Sequence, residues 1–165
     1  MINFVDFVEQ WAIKYKPMQH NPAETSDRKR FLTYEGRIED MVQMLVENRT
    51  AESPIVVACT DQEGDINGAY DNPQYHLCFL CKTDNERIWT GREAQAEAKE
   101  HMLKFIAYMN QQKMDNEREM KGINVDGKIS YYGIELFYDG WFGVNMDITN
   151  ASSISRCVNP IDYVE

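Results

Sequence analysis

The sequence predicts an α+β domain whose antiparallel sheet, built from two hairpins, carries helices packed on one face. Three observations predict it. Apolar residues recur at helical spacing in three segments, and four shorter runs are rich in β-branched and aromatic residues. The two kinds group in the order α-α-β-β-α-β-β, without strict alternation. The chain has 165 residues, the size of one domain, and such a domain buries roughly 70% of its unfolded surface. Residues 1–165 are therefore read as a single domain, with 150–165 a C-terminal tail.

The first helix is predicted over 3–16. Asn3 can cap it, Asp6 lies in its first turn, and Phe4, Phe7, Val8 and Trp11 make an apolar stripe. Pro17 and Pro22 follow, so 17–26 reads as a polar connection. A second helix is predicted from about 27 to 48, where Phe31, Tyr34, Ile38, Met41 and Leu45 step by three and four. Gly36 interrupts it, and a short strand before that glycine is the alternative. Residues 54–60, PIVVACT, suit a buried strand. In the next strand, 74–83, Tyr75, Leu77, Phe79 and Cys81 take one face and His76, Cys78 and Leu80 the other. Both faces are largely apolar, which makes this strand central. Thr90 and Glu93 have the spacing of a capping box for the third helix, and Ala94, Ala98, Met102, Phe105, Ile106 and Met109 follow at helical intervals. A charged extension, Lys113 to Lys121, ends at Gly122.

The last hairpin permits a register argument. A two-residue Asp139-Gly140 turn would set Leu136 opposite Gly143 and Ile134 opposite Asn145, mixing the two faces. A three-residue loop, Tyr138 to Gly140 with Gly140 left-handed, pairs Leu136 with Phe142, Ile134 with Val144 and Tyr132 with Met146. Every apolar residue then shares one buried face, and Phe137 and Trp141 pair on the other.

Composition bounds the function. With 43% hydrophobic and 27% charged residues, the chain is not disordered. Seventeen basic and 27 acidic residues give a net charge of −10. Phosphate recognition draws its affinity from Lys and Arg, so this balance argues against a sequence-specific nucleic-acid reader. It suits solubility, or an acidic surface that DNA passes without sticking. No apolar run approaches the ~18 residues of a membrane span, and the N-terminus lacks the basic start and small-residue site of a signal peptide. A cytoplasmic site of synthesis is expected. Cys59, Cys78 and Cys81 sit among apolar neighbours and Cys157 near the C-terminus, so a reducing environment without disulfides is expected.

Candidate chemistry is sparse. Cys78 and Cys81 match C-x-x-C, but residues three apart in a strand point to opposite faces and cannot share a metal. The stretch from Glu63 to Gln74 has the alternating oxygens of a calcium loop. It begins with Glu63 and ends with Gln74 where a bidentate Glu is needed, so an acidic hairpin loop used for contacts is the plainer reading. His76 and Cys78 share a face with no third residue to orient them. His20 and His101 read as structural. The dinucleotide, P-loop, zinc-protease and nucleophile-elbow motifs are absent. No catalytic residue, cofactor or metal ligand is expected.

What remains is a surplus of aromatics, 12% of the chain. Phe137, Tyr138 and Trp141 on the last hairpin, with Asp65 and Tyr70 on the acidic one, are the candidate interface residues, because aromatics bury large area at low entropy cost. The alternative is that a helix of the same chain covers them.

The helix-first, paired-hairpin order, the acidic charge and the aromatic last hairpin of residues 1–150 together resemble small neck, ring and tail-terminator proteins of tailed bacteriophages. The resemblance implies a non-catalytic, ring-forming head–tail connector, neck or tail-terminator subunit, made in the cytoplasm and carried in the virion. Its partners would be its own copies and other virion proteins, with no membrane and no catalytic residues. Two other readings stand beside it. One is an acidic module that mimics nucleic acid, which requires Asp61, Glu63, Asp65 and Asp71 to form one continuous face. The other is a small-molecule enzyme, which requires His76 or His101 to meet a carboxylate in a cleft.

Overall fold

A computed structural model of the chain describes residues 3–25, 28–47, 53–60, 63–67, 70–83, 88–115, 129–136, 140–149 and 152–153. The first helix, α1, spans Phe4–Lys14. The Asn3 side chain accepts from the Val5 N–H at 2.9 Å, as its capping position predicts. Phe4, Phe7, Val8, Trp11 and Ala12 are its buried stripe. The connection after it is tied down by His20. This side chain is buried, its Nδ1 accepts from the Arg30 and Phe31 N–H groups at 3.2 and 3.3 Å, and its Nε2 faces Glu9 at 3.4 Å.

Of the two readings of 27–48, the structure takes the one with a short strand before Gly36, followed by a shorter helix. Strand β1 is Phe31–Tyr34 and helix α2 is Ile38–Glu47. Gly36 separates them at φ +85°, a conformation that a Cβ disfavours. Asp40 then reaches back to accept from the Arg37 N–H at 2.6 Å, closing the first turn of α2. Strand β2, Ile55–Cys59, is buried throughout and runs parallel to β1, with Phe31 opposite Val56 and Tyr34 opposite Cys59.

The remaining elements are β3 (Glu63–Asn67), β4 (Tyr70–Lys82), α3 (Ile88–Asp115), β5 (Ile129–Leu136), β6 (Trp141–Thr149) and the short β7 (Ser152–Ser153). The main sheet runs β1-β2-β4-β6-β5, and β3 and β7 both pair with the leading part of β4. The sheet is therefore mixed rather than purely antiparallel, and the element order is α-β-α-β-β-β-α-β-β-β. Strand β4 lies at the centre, as its two apolar faces predict. The α3 helix begins before Thr90, so the Thr90–Glu93 pair lies inside it instead of capping it.

Helices cover both faces, which corrects the one-sided arrangement. On one face α1 and α3 pack Phe7, Trp11, Met102 and Phe105 against Leu77, Phe79, Cys81, Val144, Met146 and Ile148. On the other, Met41 and Leu45 of α2 pack with Leu32, Tyr34, Ile55, Val57, Cys78, Leu80, Ile134 and Trp141. Segments read as amphipathic helix or one-sided hairpin are thus strands buried on two sides.

The same correction explains the last hairpin. Leu136 pairs with Trp141, Ile134 with Gly143 and Tyr132 with Asn145, a register one residue away from the expected one. Gly140 is left-handed, as expected, with φ +69°. Phe142, Val144, Met146 and Ile148 face α1 and α3, whereas Ile134 and Trp141 belong to the α2 face. The assumption that all apolar residues share one face fails because both faces are covered.

Candidate functional site

Three places in the fold gather exposed or chemically capable side chains: the open edge at β5, a polar chain at His76 and Cys78 midway along β4, and a cluster at Cys81 near its end. The edge follows from strand order. Strands β1 and β5 terminate the sheet, but β1 has four residues and β5 has eight. Among the described residues, nothing pairs with the outer side of β5. Its sequence, ISYYGIEL, contains no Pro or Lys, the residues that natural edges use to repel another strand. Tyr131 and Tyr132 are 49% and 51% exposed on successive positions, so one flanks each face of the edge. The Lys99 Nζ lies 4.8 Å from the Tyr131 ring centroid, holding that ring on the α3 side. Burial, then the charge of Asp147 and Cys78, raises the pKa of the Tyr132 phenol.

The interface residues expected from sequence fall elsewhere. Phe137 and Tyr138 lie outside the described residues. Trp141 is fully buried by this chain's own α2-side core, with the Lys82 Nζ 5.5 Å from its ring, so it cannot anchor a partner. Asp65 is in β3 opposite Asn72, and Tyr70 opens β4 opposite Asn67 and Ser153. The stretch expected to be an acidic loop is a β-ladder from Glu63–Gln74 to Asn67–Tyr70, not the wrapped backbone of a calcium loop. Asp71 stands opposite Ile66 in the same ladder. Asp61 lies outside the described residues. The expected register turns Tyr132 inward, whereas the observed one sets it opposite Asn145 and half-exposed.

On the α2-side face, the β4–β6 register sets His76 opposite Asp147 and Cys78 opposite Asn145. His76 Nδ1 lies 2.7 Å from Asp147 Oδ1, the same oxygen accepts from Asn145 Nδ2 at 2.6 Å, and the Cys78 thiol donates to Asn145 Oδ1 at 3.1 Å. Asp147 is therefore the orienting residue that sequence spacing could not supply for His76. Burial, then Asp147 and Cys59, pushes the Cys78 thiol up to about 12. It is held as a hydrogen-bond donor, not as a thiolate nucleophile.

On the α1/α3 side, Cys81 at the end of β4 faces Glu97 and His101, one helical turn apart on α3. One ligand atom from each lies within 4.8 Å of the others. His101 Nδ1 is 2.8 Å from the Tyr15 hydroxyl, while its Nε2 is buried with no hydrogen-bond partner among the described residues. The nearest Glu97 oxygen is 3.7 Å away, close enough for charge but too long for a hydrogen bond. Burial pushes Cys81 up to about 12, with Glu97 adding to it and the Ser53 hydroxyl opposing. Burial also lowers His101, against the pull of Glu97 and Glu100. The two thiols of the C-x-x-C pair thus stand on opposite faces, as strand geometry predicts.

Among the described residues, no helix is long and apolar enough to cross a membrane. No family model, curated protein or solved structure matches the chain.

Proposed function

We propose that the chain is a non-catalytic assembly subunit that joins its own copies through the open β5 edge. The tyrosine-flanked edge carries this reading. A long strand without repelling residues tends to pair with another strand, and pairing of β5 with a different edge of the next copy, such as β1, is a head-to-tail interface that closes into a ring when the rotation allows. Main-chain hydrogen bonds would supply the pairing, and Tyr131 and Tyr132 would clamp the incoming strand from both faces. The ring-forming neck or tail-terminator role in a bacteriophage virion, with other virion proteins as further partners, is the specific form we propose. The acidic composition, which suits a surface DNA passes without sticking, supports it.

Native mass spectrometry and light scattering on the full chain test this directly. The wild type is expected to populate a closed oligomer as concentration rises. The double substitution Tyr131→Lys/Tyr132→Lys places charge on both sides of the edge and is expected to leave monomers. Its melting temperature should fall only modestly, because both side chains are half-exposed and the Lys99–Tyr131 contact that is lost is worth about 0.5–1 kcal/mol. A wild-type chain that remains monomeric at high concentration removes the proposal.

A further inference from the structure

A second site lies away from the edge. We propose that Cys81, Glu97 and His101 form a binding site for one divalent cation of borderline softness, of which Zn²⁺ is the natural example. Three features of the cluster converge on this. The donor set is one sulfur, one imidazole nitrogen and one carboxylate oxygen, all mutually within 4.8 Å. That is the mixed N/S/O chemistry zinc takes, and three protein ligands leave a fourth position for water. The charge balances too, since a thiolate and a carboxylate together neutralise a dication.

The second feature is the orphaned nitrogen. His101 is 7% exposed, and its Nε2 has no hydrogen-bond partner among the described residues. A buried polar atom left unpartnered is uncommon and points to a bound ligand or a functional cause. Here the atom lies within reach of the Cys81 sulfur and a Glu97 oxygen.

The third feature is the hydrogen bond on the other side of the ring. Tyr15, on the residue that ends α1, lies 2.8 Å from His101 Nδ1. With Nδ1 protonated and donating to the Tyr15 oxygen, Nε2 carries the lone pair that a metal requires. Outer partners of this kind fix the tautomer and ring angle of metal-binding histidines. Cys81 is 1% exposed and sits on the central strand, whereas the Glu97 side chain is 60% exposed and opens the site to solvent. Binding breaks the Cys81 S–H bond, releases one proton to solvent and forms a metal–sulfur bond. A bound ion would join β4 to α3 and, through Tyr15, brace α1.

The test uses the full-length chain after chelator treatment. Titration with Co²⁺ is expected to give a thiolate-to-cobalt charge-transfer absorption that saturates at one equivalent and is displaced by Zn²⁺. The absorption should vanish in Cys81→Ser and persist in Cys59→Ser, Cys78→Ser and Cys157→Ser, which separates this thiol from the other three. Glu97→Gln alters only an exposed side chain, so its fold is secure, and it should weaken Zn²⁺ binding. Tyr15→Phe removes the outer partner and should weaken binding by about 10-fold or more. Either of two results overturns the assignment: no saturable Co²⁺ absorption in the wild type, or an absorption unchanged in Cys81→Ser. Monomeric and assembled protein serve equally, so the outcome is independent of the assembly reading.

Discussion

The two faces of the sheet are held by different physics. Under α1 and α3 a connected group of aromatic rings sits among aliphatic and methionine side chains. Phe105 meets Phe4, Phe7, Trp11 and Phe79 with ring centroids between 5.1 and 6.5 Å, and Trp11 stacks on Tyr15 at 4.7 Å. Edge-to-face and tilted rings of this kind add to the plain burial of area. The α2 face has a short helix packed on aliphatic residues, two cysteines, Tyr34 and Trp141, and a hydrogen-bonded chain, Cys78–Asn145–Asp147–His76. One face is held mainly by apolar packing. The other is held partly by directed polar contacts, which define geometry but contribute less net stability per group.

The largest break of that contrast is Phe105→Ala. It empties the centre of the aromatic cluster and is expected to destabilise by about 3–5 kcal/mol in a urea unfolding titration. A smaller loss is expected on the opposite face. Asn145→Ala removes the acceptor for the Cys78 thiol and a donor to Asp147, a cost of about 1–3 kcal/mol. Because Cys78 and Asn145 share one contact, the double substitution Cys78→Ala/Asn145→Ala should cost less than the two separate losses combined. Equal losses at Phe105 and Asn145 would erase the distinction between the faces.

The smallest expected effect is a pH dependence at His20. Its Nδ1 accepts from two backbone N–H groups, so the folded chain requires it unprotonated there. Burial lowers its pKa from 6.5, outweighing Glu9, while Lys29 acts in the same direction as burial. The unfolded chain therefore takes up this proton first as pH falls. The stabilising contribution is complete above 6.5 and is lost as pH drops from there toward the folded value. Melting temperature measured from about pH 8 to about pH 5 should fall for the wild type, and less for His20→Gln.

Much of the fold was legible because local chemistry and tertiary packing agree. Asn3 caps α1, the Ala94–Met109 stripe makes the buried side of α3, and the alternation of Tyr75 to Cys81 made β4 central. Misreadings came where burial on two faces imitates another pattern. Phe31, Tyr34, Met41 and Leu45 have helical spacing in sequence, yet Gly36 divides them between a strand and a helix, and Phe31 faces the α1/α3 side while the other three lie on the α2 side. The last hairpin shifted by one residue because Trp141 has a covered face of its own, and that error moved the exposed aromatics from Trp141 to Tyr131 and Tyr132. Both histidine sites were illegible for a simpler reason. Asp147 reaches His76 only through the β4–β6 register, and Cys81 reaches His101 only through the docking of α3.

The β4–β6 ladder has a further consequence for how the chain is made. It joins Gln74 to Thr149 and Lys82 to Trp141, with α3 and β5 intervening in sequence. During translation, β1, α2, β2 and β4 are complete long before β6 leaves the ribosome. Until then the middle strand has one side bare, with Leu77 to Cys81 apolar on both faces. Such an unfinished strand is the stretch of a nascent polypeptide most prone to wrong pairing and most in need of a chaperone's hold.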